Sequence, residues 1–399
     1  MNDQIVISGG GVPGLILAIL LGQKNLPVSV IDPNFPYAPE SPDNQLYGQT
    51  TALMSDSLKL LEKTHVLESI REHCGEMNRL VIRDCTSLDE IESGFDSLEI
   101  NQQSFGLNVP GAILRASLAK KAEEYDNIHL FFGRKLYDFS TKNEHLEIRM
   151  DDSSLLEAGL LVGADGSHSL VREISGIKST IKDYKQSALT FALSHRKPHR
   201  KTSVELHHPA GPLTFVPLAN PNQSSAVWVE NTQTAQDLLQ LSNSEFQQKL
   251  QNASKGVLGE IQVETQPHEK PLRLVYASSL TAPRVALVAE AAHTIHPMGA
   301  QGLNLSLRDV RELYKIIQEF HDLGLDFGVP GALNRYERIR STDIKARIIA
   351  THSLAHSLNH SLPPLHSARR HALKAISRLP LVKRGLMKMG MTGYIGNSL

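Results

Sequence analysis

The chain has 399 residues, 41% hydrophobic and 21% charged, with 41 Lys and Arg against 42 Asp and Glu for a net charge of -1. That length supports two or three domains with a real core, and the balanced charge excludes a dedicated nucleic-acid binder, which is normally strongly basic. Cys74 and Cys85 are the only cysteines; they are too few for a disulfide framework or a four-cysteine zinc site and suit a reducing cytoplasm.

The opening residues carry no basic region, so no signal peptide is expected. Residues 4–8 read as a short buried strand, 9–14 as a glycine turn, 15–23 as a helix, and 27–32 as a second strand ending in Asp32. That is a βαβ unit. The most apolar run, Val12 to Leu21, contains Pro13 and Gly14 and is far shorter than the about 20 residues of a membrane span. A helix is expected over 55–73, strands over 78–84 and 97–101, a helix over 114–125 and a strand over 128–132. Strands at 146–150 and 160–162 bracket a polar hairpin around Asp151 and Asp152. From about 182 to 274 short alternating strands appear at 188–194, 203–207, 213–217 and 225–229, interrupted by a helix over 244–251. A buried strand at 285–288, a glycine-rich turn and a helix over 303–320 follow, and the chain from about 332 reads as helical.

Gly9, Gly11 and Gly14 form G-x-G-x-x-G between the first strand and helix. The first glycine permits the turn, the second lets a pyrophosphate approach the backbone, and the third lets helix and strand pack. Asp32 ends the second strand, where a carboxylate can accept hydrogen bonds from ribose hydroxyls. This context points to dinucleotide binding. Two further segments follow apolar strands: Gly163-Ala164-Asp165-Gly166, and the run from Ala289 through His293, His296 and Pro297 to Asn304, which opens the helix containing Asp309.

With these three motifs in this order, the chain resembles the FAD-dependent aromatic-ring hydroxylases (group A flavin monooxygenases) over nearly its whole length. It is most similar to the ubiquinone-biosynthesis hydroxylases of the 2-octaprenyl-6-methoxyphenol hydroxylase type, on the segments 183–188, 211–218 and 225–228. The resemblance implies an α/β fold: a Rossmann-like FAD-binding domain from residues 1–75, 100–180 and 275–335, an inserted antiparallel-sheet substrate domain from 76–99 and 181–274, and a C-terminal helical, basic region from 336–399. It implies hydroxylation of a polyprenyl phenol with FAD, NAD(P)H and O2 through a flavin C4a-hydroperoxide. It assigns Pro297, Gly299 and Gln301 to the reacting turn. Gly9, Gly11, Gly14, Asp32, Gln49, Arg115, Asp165, Gly166, Glu290, Ala300, Gly302 and Asn304 go to the cofactor. It assigns no metal ligand and no general base.

The chain departs from the family pattern where charge and space matter. Ala289-Glu290 stands for the usual Gly-Asp, Ala300 for a glycine, and Gln49 and Leu206 for positions where Arg is common. The longer carboxylate, the extra methyl and the lost cations are expected to weaken FAD binding. His293 belongs to the motif that shapes the turn rather than to proton transfer, and His207-His208 reads as a strand-end pair. His352, His356 and His360 share a helix face without a carboxylate or cysteine to complete a metal site.

After Asp343 the chain has no acid and nine basic residues, interleaved from Leu373 with Leu, Ile, Val and Met. Such an end lies on an anionic membrane or grips an acidic partner, or else closes its apolar side over the cofactor domain; the two readings stand level. The expected location is the bacterial cytoplasm, at the inner-membrane surface if the first reading holds, with other enzymes of the same biosynthesis as partners. Two rival functions remain: a hydroxylase of a small soluble aromatic, and a flavin-weakened homologue acting as a scaffold.

Overall fold

The computed structural model describes residues 3–36, 49–86, 91–142, 144–359 and 379–391. Ile5–Ser8 has every residue buried and pairs in parallel with Val28–Asp32 on one side and Leu160–Gly163 on the other. The full sheet runs Thr281–Ala282, Val285–Leu287, Leu160–Gly163, Ile5–Ser8, Val28–Asp32, Ile128–Phe132, parallel except for its first pair. The helix Val12–Gly22 is buried from Gly14 onward. Helices Gly111–Ala122 and Gln301–Asp322 pack against it. A helix apolar all round belongs in a core, and burying each of its Leu and Ile side chains is worth about 1.5–3 kcal/mol.

A second, nine-stranded sheet stands beside it in the order His293–Thr294, His268–Ala277, Ser179–His195, Gln223–Asn231, Pro212–Pro217, Thr202–His207, Arg79–Asp84, Ile91–Asp96, with Ile261–Val263 also on the long 179–195 strand. Strict alternation gives this sheet two different faces. Leu189, Phe191, Leu206, Leu213, Phe215 and Trp228 form one core with Phe246 and Leu250 of the helix Asn243–Ala253. Their neighbours Thr190, Glu205, Thr214, Val227 and Val229 point the other way, into a cavity. A three-stranded sheet of Thr50–Met54, Gly106–Pro110 and Gly75–Met77 stands at the cavity's side. The helix Pro330–Asn359 packs on the 301–322 helix. The α/β architecture with a helical C-terminal region is thus the expected one.

Local differences have local causes. The helix expected over 55–73 breaks into Ser55–Glu62, Leu67–Ile70 and a 3-10 turn Arg71–His73, because His65 turns left-handed at φ 60 and donates its N–H to Glu62. The strand expected over 97–101 is the 3-10 helix Ser97–Ile100, held by a reciprocal cap between Asp96 and Glu99 and ended by left-handed Asn101. The strand His145–Met150 pairs with Leu155–Ala158 rather than with 160–162, which goes to the parallel sheet. A further helix, Thr232–Leu239, buries Ala235 and Leu238. Of the basic tail, residues 360–378 lie outside the described residues, as does His360.

Candidate active site

Three motifs more than a hundred residues apart meet because the strands that precede them are neighbours. Ser8 lies beside Gly163, and Gly163 beside Leu287, so all three loops leave the carboxyl edge of the sheet together, where open α/β sheets bind ligands. Gly9 has φ 116, and a Cβ there would sit 2.2 Å from the Ala164 carbonyl oxygen. A Cβ on Gly14 would sit 2.0 Å from the Gly9 carbonyl oxygen. Gly9 lets the first two loops touch, and Gly14 lets the helix start against the first turn. Gly11 is the N-cap of the 12–22 helix, which no side chain caps, and a Cβ on it would meet nothing nearer than 3.9 Å. The amides of that first turn are left for an anion.

Asp32 is buried; its Oδ2 accepts the Gly10 N–H at 2.7 Å and its Oδ1 the Asn34 N–H at 2.8 Å. Arg115 stands 3.2 Å from Asp32 Oδ1 and donates to the carbonyls of Gly10 and Asn34, both at 2.9 Å. It is therefore neither a bare surface charge nor a free phosphate ligand: it braces the first loop. Asp165 accepts the Val171 N–H at 3.1 Å, while its Oδ1 is buried without a partner among the described residues. Burial pushes its carboxyl up, against hydrogen bonds from Ser169 and Val171. Gly166 has φ 84 in open space. Arg172 ties the second loop to the third, donating to Ser167 and Ala291 carbonyls at 2.8 Å each.

The third loop hangs from Asp309, which is fully buried. Asp309 accepts the Ala289 N–H at 3.0 Å, faces His293 Nε2 at 2.6 Å and Arg340 Nε at 2.7 Å. Burial pushes its carboxyl up, but His293 and Arg340 outweigh that and hold it below the usual range. Glu290 projects from the loop to Lys270 Nζ on the large sheet at 3.2 Å. Gly299 (φ 66) and Ala300 (φ 53) turn left-handed into the 301–322 helix, which no side chain caps. Gln301 is buried, donates to the Gly299 carbonyl at 2.9 Å and accepts from Arg347 at 2.9 Å. Asn304 accepts the Met54 N–H at 2.9 Å and donates to the Ala52 and Ala300 carbonyls, so it clamps the 50–54 strand to the helix. Gln49 is exposed, and its carbonyl accepts the Gly111 N–H at 3.0 Å.

Both alanines that replace glycines have positive φ, 57 at Ala289 and 53 at Ala300. That conformation costs an L-residue about 1–2 kcal/mol, of which glycine's greater unfolded freedom takes back roughly 0.5–1. Ala289→Gly and Ala300→Gly are each expected to raise stability by about 0.5–1 kcal/mol. A lowered denaturation midpoint in both would contradict this.

The third loop and the cavity face of the large sheet border a space of about 800 Å³, of the size that holds cofactor rings and small ligands. Pro297, Gly299, Gln301 and Gly302 of the third loop line it, as do Thr190, Glu205, Thr214 and Val229 of the large sheet. Leu80, Phe95, Phe105 and Met387, which pack together, give the lining an apolar end. Val12 and Pro13 of the first helix also border it, so two uncapped helix N-termini, with their positive dipole ends, open on the same space.

His296, next to Pro297, is buried, and its imidazole is pushed down to about 4 by that burial, against the pull of the Glu205 carboxylate. In the unfolded chain it ionises near 6.5. The unfolded state binds more protons between those values, so stability is full above about pH 6.5 and is lost as pH falls towards 4. His195 and His199, also held low by burial, act the same way. The denaturation midpoint is expected to fall across that window and to fall less in His296→Gln; equal slopes in the two proteins would contradict it.

Arg172, Lys270, Arg340 and Arg347 carry much of this framework and had no assigned role in the sequence. They lack a local signature, because their partners lie 119, 20, 31 and 46 positions away. His352 meets Tyr184 Oη at 3.3 Å and Lys182 Nζ at 3.2 Å; among the described residues no group of three or more His, Cys, Asp or Glu could hold a metal ion.

The residues fit FAD. The cradle at Gly9 and Gly11 has no room for, or no use of, a side chain, and the buried orphan Oδ1 of Asp165 lacks the polar partner that a sugar or ribityl hydroxyl supplies.

A protein-family model described as FAD binding domain matches residues 2–347. Ubiquinone hydroxylase UbiL of Rhodospirillum rubrum is 29% identical, covering 97% of this chain and 89% of its own. The 3-demethoxyubiquinol 3-hydroxylase of Escherichia coli is 27% identical, covering 97% and 98%. Among solved structures, p-nitrophenol 4-monooxygenase PnpA from Pseudomonas putida superposes with a TM-score of 0.80 at 17% identity over 99% of this chain and 100% of that one. PqsL of P. aeruginosa, in complex with 2-aminobenzoylacetate, gives 0.77 at 20% identity over 90% and 96%. At those identities the structural likeness speaks for the fold alone.

Proposed function

Because the chain belongs to the FAD binding domain family, we propose that it is an FAD-dependent monooxygenase hydroxylating the aromatic ring of a polyprenyl phenol in ubiquinone biosynthesis. NAD(P)H and O2 are its co-substrates. The observation that carries this reading is a cavity bordered by the start of the first helix, the third loop and one face of a mostly antiparallel sheet, at the sheet edge where all three loops emerge.

FAD, when bound, supplies the redox chemistry: it accepts a hydride and passes two electrons to oxygen. The protein's own residues bind, orient and exclude water. In this reading Gly9, Gly11 and Gly14 admit the pyrophosphate to the first helix N-terminus. Asp32 is already committed to Gly10 and Asn34 backbone amides, so it shapes the loop and offers its remaining acceptor capacity to ribose. Asp165 and Gly166 take the sugar and phosphate region, and Gln49 stands at its edge. Pro297, Gly299, Gln301 and Gly302 lie against the flavin ring, with the amides of the 301–322 helix favouring negative charge there. Ala300 and Asn304 set that turn. Glu290 holds Lys270 rather than standing free, so the cation that pairs with it must swing away for the carboxylate to meet the ribityl chain. We take residues 1–75, 100–180 and 275–335 as the cofactor domain and 76–99 with 181–274 as the substrate domain, although single strands, Ser179–His195 and His268–Ala277, cross two of these borders.

The apolar end of the cavity suits a prenyl chain. Met387 of the helix Pro380–Met391 lines it, and Lys383 of that helix bonds Glu99 at 2.6 Å. Leu381 and Val382 of that helix are exposed, beside exposed Arg384 and Lys388, which supports contact with an anionic bilayer that holds the substrate. No described helix is long and apolar enough to cross a membrane. Co-sedimentation with phosphatidylglycerol vesicles, absent with neutral ones, tests that contact; no co-sedimentation refutes it. The function itself is tested by the visible spectrum and an FAD titration of purified protein. About one flavin per chain is expected, and no binding at high FAD would sink the reading.

A further inference from the structure

The cavity face of the 202–207 strand carries a titratable pair that the reading above leaves unused. Glu205 and His207, two residues apart, lie on one face; Ser203 and Glu205 border the cavity while Leu206 between them is buried in the core behind. Glu205 is 8% exposed and His207 3%. His207 Nε2 stands 2.6 Å from Glu205 Oε1, the one hydrogen bond to that carboxylate among the described residues. His207 Nδ1 is buried without a partner. An unpaired acceptor there is less costly than an unpaired N–H, so the imidazole carries its proton on Nε2 and donates it to Glu205. The other carboxylate oxygen is left for the cavity. Glu205 sits between Thr214 and Ile82 in the sheet, where burial of a carboxylate is expensive without a partner, and a single neighbouring imidazole does not use its capacity. The Pro297–Gly302 turn lines the same cavity.

We propose that Glu205 is a catalytic residue that takes the hydroxyl proton of a bound phenol, with His207 as the residue that positions it. The inference rests on the hydroxylase reading. The phenol O–H bond breaks, its electron pair stays on oxygen, and the proton bonds to the free oxygen of the Glu205 carboxylate. The phenolate spreads its charge onto the ring carbons ortho and para to it, which makes them nucleophilic towards the oxygen atom derived from O2. As that atom bonds to the ring, the bond between the two oxygen atoms breaks, with two electrons supplied by NAD(P)H through FAD; the carbon then loses its hydrogen as a proton, which with one proton from solvent converts the second oxygen atom to water. The product's phenol oxygen takes back the proton from Glu205, and the carboxylate is restored. His296, beside Pro297 and within reach of the Glu205 charge, stays neutral through this step because its burial holds it far below neutrality.

The test uses 4-nitrophenol, whose phenolate absorbs visibly, below the pH at which it ionises in water. Difference spectra of the FAD-loaded protein should show the phenolate band on binding. Glu205→Gln should lose that band and lower turnover of a phenolic substrate about 100-fold or more. Glu205→Asp, which keeps a carboxylate, should restore part of the band. A purely structural role for Glu205 moves stability but not the ionisation of bound nitrophenol. The same titration on protein without flavin reads ionisation independently, so failure to bind FAD refutes the hydroxylase reading without deciding this one. A wild-type protein that leaves the nitrophenol protonated or fails to bind it, or a Glu205→Gln protein with an undiminished phenolate band, overturns the proposal.

Discussion

Asp309→Asn is expected to cost about 3–5 kcal/mol of stability, because it leaves Arg340 with an uncompensated share of buried charge. Arg340 is 2% exposed and reaches Asp309 at 2.7 Å and Asp343 at 2.7 Å. Arg308 and Arg347 stand 3.6 and 3.8 Å from the same Asp343, so three cations share two carboxylates. Removing one carboxylate leaves three cations on one. The loop suffers as well, since Asp309 holds the Ala289 N–H and His293, so weaker FAD retention should accompany the lost stability. The exposed pair Arg335–Glu319, at 2.8 Å, provides the contrast: Arg335→Ala should change stability by less than about 1 kcal/mol. Denaturation of both variants checks the difference. Equal, small effects would mean that the Asp309 cluster does not hold the third loop.

Gly9→Ala is expected to be the more damaging change to the cofactor site. The new Cβ would lie 2.2 Å from the Ala164 oxygen and 2.5 Å from its carbon, with φ at 116. Backbone cannot step aside as a flexible side chain does, so the first and second loops must separate. Overpacking of this kind costs about 1–3 kcal/mol, and about 2 kcal/mol lost from FAD affinity is roughly a 30-fold weaker dissociation constant. Gly302→Ala is the control, since its Cβ would meet nothing within 4 Å in the protein. It should fold at least as well as the wild type, and any loss of FAD affinity then reports a cofactor against that turn. FAD titrations of the two variants decide; unchanged affinity in Gly9→Ala would contradict the account.

Much of the framework was legible because its signals are local. The βαβ unit, the glycine spacing and the alternating strands at 203–207, 213–217 and 225–229 each declare themselves within a dozen residues. The reciprocal cap at Asp96 and Glu99 was also written in the sequence, as an acid three positions before another, yet the alternating Leu98 and Ile100 of 97–101 read equally well as a strand. The break at His65 has no glycine or proline to announce it. What sequence could not give was long-range. Glu290 finds Lys270, Gln301 finds Arg347, and Arg115 finds the Gly10 turn only once strands distant in the chain pair. The exchange of Asp for Glu at 290 therefore reads differently in the structure: the added methylene lets the carboxylate reach a lysine on the facing sheet.

The central claim is oxygen transfer to a phenolic ring inside the cavity walled by Glu205 and the Pro297–Gly302 turn. The most direct test is turnover of a prenylated phenol by the FAD-loaded protein with NADPH or NADH under isotopically labelled O2, with mass analysis of the product. The account predicts one labelled oxygen atom per hydroxylated ring. Product labelled from water, or reduced nicotinamide consumed with no hydroxylated phenol, would contradict it.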